Sequence, residues 1–148
     1  MTSQKKFLLN GKVIIESLPI AESANDIGLK RLLLDRGELA QFHDSSDPIH
    51  LIAYVEFPNG SIRGGHYHPN REERFYIIRG NMILAVQDVD TKELELSEIA
   101  DGDVLFISPN VAHAIKTIKA GHAIEFSSKR FNAEGTIKFP SILEHLKD

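Results

Sequence analysis

His66 and His68 stand two residues apart in a run that reads as extended chain. Side chains alternate faces along a strand, so both imidazoles project to one side while Tyr67 turns the other way. Five residues after His68, across Pro69-Asn70-Arg71-Glu72, Glu73 heads an apolar run, and a hairpin there returns its carboxylate toward the histidines. His113 heads a later apolar run, after Ser108-Pro109-Asn110-Val111-Ala112. Three imidazoles and one carboxylate form a mixed donor set suited to Zn, Mn, Ni or non-haem Fe, with coordination positions left for water or substrate. Imidazole, with an ordinary pKa of about 6.5, is also a base near neutrality. Glu72 is the alternative ligand to Glu73, because a single bulge exchanges which of two adjacent carboxylates faces the site. His43, His50, His122 and His145 share no such spacing.

The elements that must position these groups are short strands. Lys6 to Leu9 and Lys12 to Glu16 flank Asn10-Gly11, a dipeptide that suits a two-residue hairpin turn with both residues at positive φ. Leu29 to Leu34 and Glu38 to Phe42 flank Asp35-Arg36-Gly37 in the same way. Further apolar runs lie at His50 to Phe57, Arg74 to Ile78, Met82 to Asp88, Leu94 to Ile99, Val104 to Ile107, Ala114 to Ile118 and Ala123 to Ser127. Turn residues separate them, including Pro58-Asn59-Gly60, Arg79-Gly80-Asn81 and Asp101-Gly102-Asp103. About ten strands predict an all-β closed barrel or double-sheet roll. Phe75 and Ile77, in register with Glu73, are expected in the barrel core, and Tyr67 against another sheet or subunit. The stretch Pro140 to Lys147 reads as a short C-terminal helix capped by Ser141, with Ile142, Leu143 and Leu146 on one face.

Composition narrows the chemistry. The 148 residues suit one domain spanning 1–148, with no repeat or linker. No cysteine is present, which excludes disulfides, a thiolate nucleophile and Cys-ligated metal. Seventeen Lys and Arg against twenty-one Asp and Glu give a formal charge of −4, a surface that repels nucleic acid. The opening MTSQKKFLLNGKVII lacks an apolar core of signal-peptide length and no stretch approaches a membrane span, so a cytoplasmic location and no membrane partner are expected.

The spacing Gly60-(five)-His66-x-His68-(four)-Glu73-(six)-Gly80 resembles the first cupin motif at every position. Gly102-(five)-Ser108-x-Asn110-(two)-His113-(three)-Thr117 resembles the second, although the family's usual Pro, Gly and Asn are here Ser108, Asn110 and Thr117. Together they span residues 60–117 and imply a cupin barrel, a double-stranded β-helix of the jelly-roll type. A narrower resemblance covers Asp35-Arg36-Gly37-Glu38 and Gly60 to Tyr67. These segments look like those of cupins acting on nucleotide-linked keto-sugars, namely the dTDP-keto-sugar epimerases and ketoisomerases. The cupin domain of a capsular-polysaccharide keto-sugar enzyme is similar too, with a step matching Arg71 to Phe75 and zinc on the same four positions.

The narrower resemblance implies an isomerase or epimerase of polysaccharide biosynthesis that removes a proton beside a carbonyl. Such a reaction needs a base and an electrophile. If a divalent metal is bound by His66, His68, Glu73 and His113, the base is another group, with Tyr54, Tyr76, His50 and Glu125 undistinguished. If not, His66 and His68 are themselves the bases, as in the metal-free ketoisomerases that the chain resembles. Arg63, whose planar fork matches phosphate oxygens, is expected to hold the phosphate of a sugar nucleotide in either case. An Fe-dependent dioxygenase and a non-catalytic sugar- or metal-binding module use the same donor set. A homodimer is implied by analogy.

Overall fold

The structure is a computed structural model that describes residues 3–148. Among the described residues, eleven strands follow one another: β1 (Gln4–Leu8), β2 (Val13–Ser17), β3 (Lys30–Leu34), β4 (Gly37–Gln41), β5 (Leu51–Phe57), β6 (Ile62–Tyr67), β7 (Glu73–Asp88), β8 (Leu94–Ala100), β9 (Asp103–Ile107), β10 (Val111–Ser127) and β11 (Ile137–Lys138). Pairing between the named strands is antiparallel throughout.

Two long strands organise the rest. The sequence predicts a turn at Arg79-Gly80-Asn81 and a break between Ile118 and Ala123, yet β7 and β10 run through both places for 16 and 17 residues. Each passes from one layer to the other. One layer has the order β1, β2, β9, the first part of β7, the last part of β10, and β5. The other has β8, the last part of β7, the first part of β10, β6 and β11. The bend is built on glycine. A Cβ at Gly121 would lie 1.7 Å from the Arg79 carbonyl oxygen, and Gly80 holds φ at 121°. A glycine read as a turn signal is here a place where two backbones touch.

The layers close on a core of alternate residues. Val13, Ile15, Phe57, Phe75, Ile77, Met82, Leu84, Val86, Leu105, Ile107 and Ile115 are all buried in one cluster, with Phe75 and Ile77 placed there as their register with Glu73 predicts. Tyr67 turns outward and meets Phe139, ring centroids 6.0 Å apart, rather than another sheet.

Two terminal details differ from expectation. The first hairpin is joined by four residues, Leu8 pairing with Val13, and Leu9, Asn10 and Gly11 all take positive φ. Burying Leu9, worth about 1.5–3 kcal/mol, offsets the roughly 1–2 kcal/mol of holding it left-handed. The C-terminal helix is a 3-10 helix, Pro140–Leu146, preceded by Phe139 with no side-chain cap, so Ser141 does not cap it. Its Ile142 and Leu146 pack with Leu143 over Ala85, Ala112 and Ala114, whose small side chains let it lie close on the back of β7 and β10.

The β3–β4 hairpin is a separate two-stranded sheet turned at Asp35-Arg36. Glu38 pairs with Arg31 across the hairpin at 2.6 Å and fixes the hairpin to the barrel through β7, where it lies 3.4 Å from Arg79 and accepts from the Tyr76 hydroxyl at 3.4 Å. Phe42 stacks on Tyr76, centroids 4.5 Å apart. No helix among the described residues is long and apolar enough to cross a membrane.

The crossing yields the first prediction. Gly121→Ala drives a methyl into the Arg79 carbonyl, so it should lower stability by about 3 kcal/mol or more. Urea unfolding checks it against Gly37→Ala, where a Cβ meets nothing and only the cost of a positive φ remains.

Candidate functional site

The four sequence-selected ligands meet at one end of the barrel. His66 lies on β6, His68 just past its end, Glu73 opens β7 and His113 lies near the start of β10. His66 pairs across the sheet with His113, and the register shifts directly after His113. Each of the four offers one ligand atom within 4.8 Å of every other. The imidazole centroids are 4.9 Å apart for His66 and His113, 5.0 Å for His66 and His68, and 5.8 Å for His68 and His113.

A glycine pair makes this approach possible. Gly64 and Gly65 hold φ at 100° and 81°. A Cβ at Gly64 would stand 2.6 Å from the His113 carbonyl oxygen, so β6 lies closer to β10 than any side chain permits. Behind the pair, Leu143 of the C-terminal helix fills the space against Gly65.

The electrostatics of the cluster centre on Glu73. Its Oε2 lies 2.5 Å from His113 Nε2 and 3.4 Å from His68 Nε2, yet it is buried and accepts a well-directed hydrogen bond from neither. His113 Nδ1 faces the Val111 carbonyl oxygen at 3.1 Å, an arrangement that keeps the proton on Nδ1 and turns the Nε2 lone pair inward. Burial disfavours charge on His113, but the Glu73 carboxylate beside it raises its pKa above the ordinary imidazole value. Burial acts on Glu73 too, and His113 nevertheless holds it well below the ordinary carboxylate range. His66 is lowered to about 4 by burial and by the charge of His113, so at neutral pH it is uncharged.

Inward-facing lone pairs on a carboxylate and imidazoles repel one another unless a positive charge sits among them. A proton on His113 is one such charge. A divalent cation is another, and the donor set together with the unsatisfied Oε2 fits it.

The adjacent glutamates have separate fates. Glu72 turns away from the cluster, where it accepts from the Ser127 hydroxyl at 3.0 Å, the Ser128 amide at 3.1 Å, the Ser128 hydroxyl at 2.5 Å and Arg74 at 2.8 Å. Burial disfavours its charge, but these donors hold its pKa below the ordinary value. It is a structural anchor between the start of β7 and the end of β10.

A cavity of about 300 Å³ opens beside the cluster. Val55, Phe57, Phe75 and Ile115 form apolar walls, and His66, Glu73 and His113 form one end. Arg63 lies at the exposed rim and makes no ion pair among the described residues. His68 does not line the cavity; its Nδ1 faces the Thr136 hydroxyl at 3.2 Å and the Gly135 carbonyl oxygen at 3.4 Å.

The structure separates the four groups that sequence left equal as possible bases. Glu125 lines the cavity, and burial followed by the nearby Glu73 carboxylate raises it to about 7. Tyr54 is exposed on the outer face against His122. Tyr76 is buried beneath the β3–β4 hairpin, where burial and then Glu38 push it up to about 12. His50 is exposed ahead of β5. Sequence also passed over Arg71, whose guanidinium reaches the cluster: its Nη2 is 3.1 Å from His68 Nε2.

Residues 34–132 match the family described as the polysaccharide biosynthesis C-terminal domain. No curated protein matches the chain in sequence. Among solved structures, the chain is similar to the dTDP-6-deoxy-D-glucose-3,5-epimerase RmlC of Legionella pneumophila in complex with dTDP-4-keto-L-rhamnose. That likeness has TM-score 0.72 at 10% identity over 92% of this chain and 77% of the other. It is also similar to a 3,4-ketoisomerase from Helicobacter canadensis, with TM-score 0.64 at 18% identity over 81% and 94%. The capsular polysaccharide assembling protein CapF of Staphylococcus aureus gives TM-score 0.57 at 18% identity over 78% of this chain and 34% of that one. At these identities the likeness is one of fold, the cupin barrel that both motif spacings led us to expect.

The two glutamates should part company under substitution. Glu72→Ala strands several donors and should cost about 2–4 kcal/mol at neutral pH, whereas Glu73→Gln removes the carboxylate that favours charge on buried His113, so its cost should grow as pH falls and that imidazole takes its proton. Because the folded-state pKa of Glu72 is depressed, its contribution is present above 4.5 and is lost as pH falls through its lower folded value. Stability measured from pH 6 to pH 3 should therefore fall less steeply in Glu72→Gln than in the native chain.

Proposed function

The chain belongs to the polysaccharide biosynthesis C-terminal domain family, and on that premise we propose that it is an isomerase or epimerase of nucleotide-linked keto-sugars. The observation that carries this reading is one cavity lined by Arg63, by the Glu125 carboxyl and by His66, Glu73 and His113 of the four-residue cluster. Solved structures of the same fold supply support, since they include an epimerase holding a dTDP-keto-sugar and a ketoisomerase.

The cavity of about 300 Å³ is at the lower end of ligand-site sizes, which suits a sugar ring with its nucleotide left outside. Arg63 stands where the two meet and holds the sugar-linked phosphate through its planar fork. Val55, Phe57, Phe75 and Ile115 keep water from the ring and so strengthen every charge interaction within the cavity. Glu125 removes the proton from the carbon beside the carbonyl and returns one after the double bond shifts, because it alone among the four candidate bases lines the cavity. A divalent ion held by His66, His68, Glu73 and His113 would polarise the sugar carbonyl and stabilise the enolate. The cluster presents those lone pairs from strand positions fixed by Gly64 and by the β7 and β10 pairing.

The same reading includes a homodimer. Ile52 and Tyr54, two residues apart on β5 and both exposed on its outer side, offer apolar contacts for it.

Incubation with a dTDP- or UDP-keto-sugar in deuterated water is the direct test. Solvent deuterium should enter the ring only when the protein is present; tight binding with no exchange would mark a binding module instead. Glu125→Gln should reduce the exchange rate about 100-fold or more, and Arg63→Ala should act mainly on KM, by about tenfold or more. Elemental analysis of protein purified without added metal should find one ion per chain in the native protein and none in the His66→Ala, His113→Ala double variant. A metal-free native protein that still exchanges would transfer the base role to His66, the histidine of the first pair that lines the cavity.

A further inference from the structure

Arg71 touches the cluster and has no task in the mechanism above. Its side chain is nine-tenths buried, with Nη2 3.1 Å from His68 Nε2 and 4.0 Å from Glu73 Oε1. Its Nη1 is buried without a hydrogen-bond partner. A guanidinium cannot lose its proton in a protein, so this is a permanent positive charge placed inside a set of potential metal ligands.

His68 makes the consequence specific. Its Nδ1 is turned to Thr136 and Gly135, which leaves Nε2 as the nitrogen that faces the cluster. An imidazole nitrogen has one in-plane lone pair. It accepts an N–H from Arg71 or it ligates an ion, and it cannot do both.

We propose that Arg71 is a built-in cation that occupies the cluster when no ion is bound, and that a divalent ion enters by displacing it from His68. This rests on the metal-binding reading of the same four residues. Seated on His68, Arg71 partly neutralises Glu73 and lets three imidazoles and a carboxylate pack together without an ion. Its unsatisfied Nη1 is a standing cost of that seat, which eases departure. The exchange sets ion affinity by competition, so binding is weaker than the donor set alone would give. Removing the guanidinium removes the competitor.

Zinc titration of metal-stripped protein against a chelating chromophore tests this without reference to activity. Arg71→Gln should bind zinc at least ten times more tightly than the native chain. Equal or weaker binding by Arg71→Gln would overturn the displacement while leaving the metal reading in place. Failure of both proteins to bind zinc would remove the metal reading and the displacement with it. A second measurement needs no variant: in a crystal structure of the zinc-loaded native protein, Arg71 Nη2 should lie beyond about 3.5 Å from His68 Nε2. Zinc on the other three residues with Arg71 still donating to His68 would overturn the proposal.

Discussion

A carboxylate packed against imidazoles, out of water, demands a positive charge. Glu73 imposes that demand here, with His113 and His68 as its neighbours and no well-directed donor for its Oε2. The raised pKa of His113 and the depressed pKa of Glu73 follow from that contact against the opposing effect of burial, while burial and then the charge so favoured on His113 hold His66 down to about 4. Burial first, and then this same carboxylate, raise Glu125, a second carboxyl that cannot easily ionise beside the first. One charge relation therefore links the candidate ligand set to Glu125, the group to which proton transfer is assigned.

The fold serves that relation by bringing together residues far apart in sequence. Glu73 opens one long strand, His113 lies near the start of the other, and Glu125 is near the end of that second strand. Glu125 pairs with Phe75, two residues from Glu73 and on the same face, so the two carboxyls meet only because β7 and β10 keep a continuous pairing across the bend. Gly80 and Gly121 permit the bend, and Gly64 permits β6 to close on His113. Small residues at backbone crossings thus fix the spacing of large polar ones.

How much of this could be read in the sequence depended on distance along the chain. The convergence of His66 and His68 followed from strand alternation, and that of Glu73 and His113 from the spacing of turns around them. The all-β class and the place of Phe75 and Ile77 were legible for the same reason, although two pairs of expected strands are continuous in β7 and β10. Glu72 and Glu73 could not be separated, because adjacent residues differ only in parity and the answer lay in Ser127 and Ser128, more than fifty residues away. Glu125 was one of four equals until strand register placed it in the cavity. Arg71 was read as part of a turn and as the start of a step shared with a capsular-polysaccharide cupin, with no role of its own, since neither spacing nor type tells where a long side chain folds back. Gly80 was taken for a turn residue, because the same conformational freedom serves a turn and a crossing.

The cavity wall is unevenly supported. His113 sits on β10, whose reverse face, formed by Ala112 and Ala114, is covered by the C-terminal helix, so the strand is held from both sides. Val55 and Phe57, by contrast, stand on β5, which pairs with β10 on one flank and, among the described residues, with no strand on the other. Changes in the size or shape of residues 55 and 57 can be absorbed at that edge without moving the histidines. The barrel therefore divides into a rigid floor and an adaptable side, and the shape of the cavity can be altered along β5 while the histidines beneath keep their places.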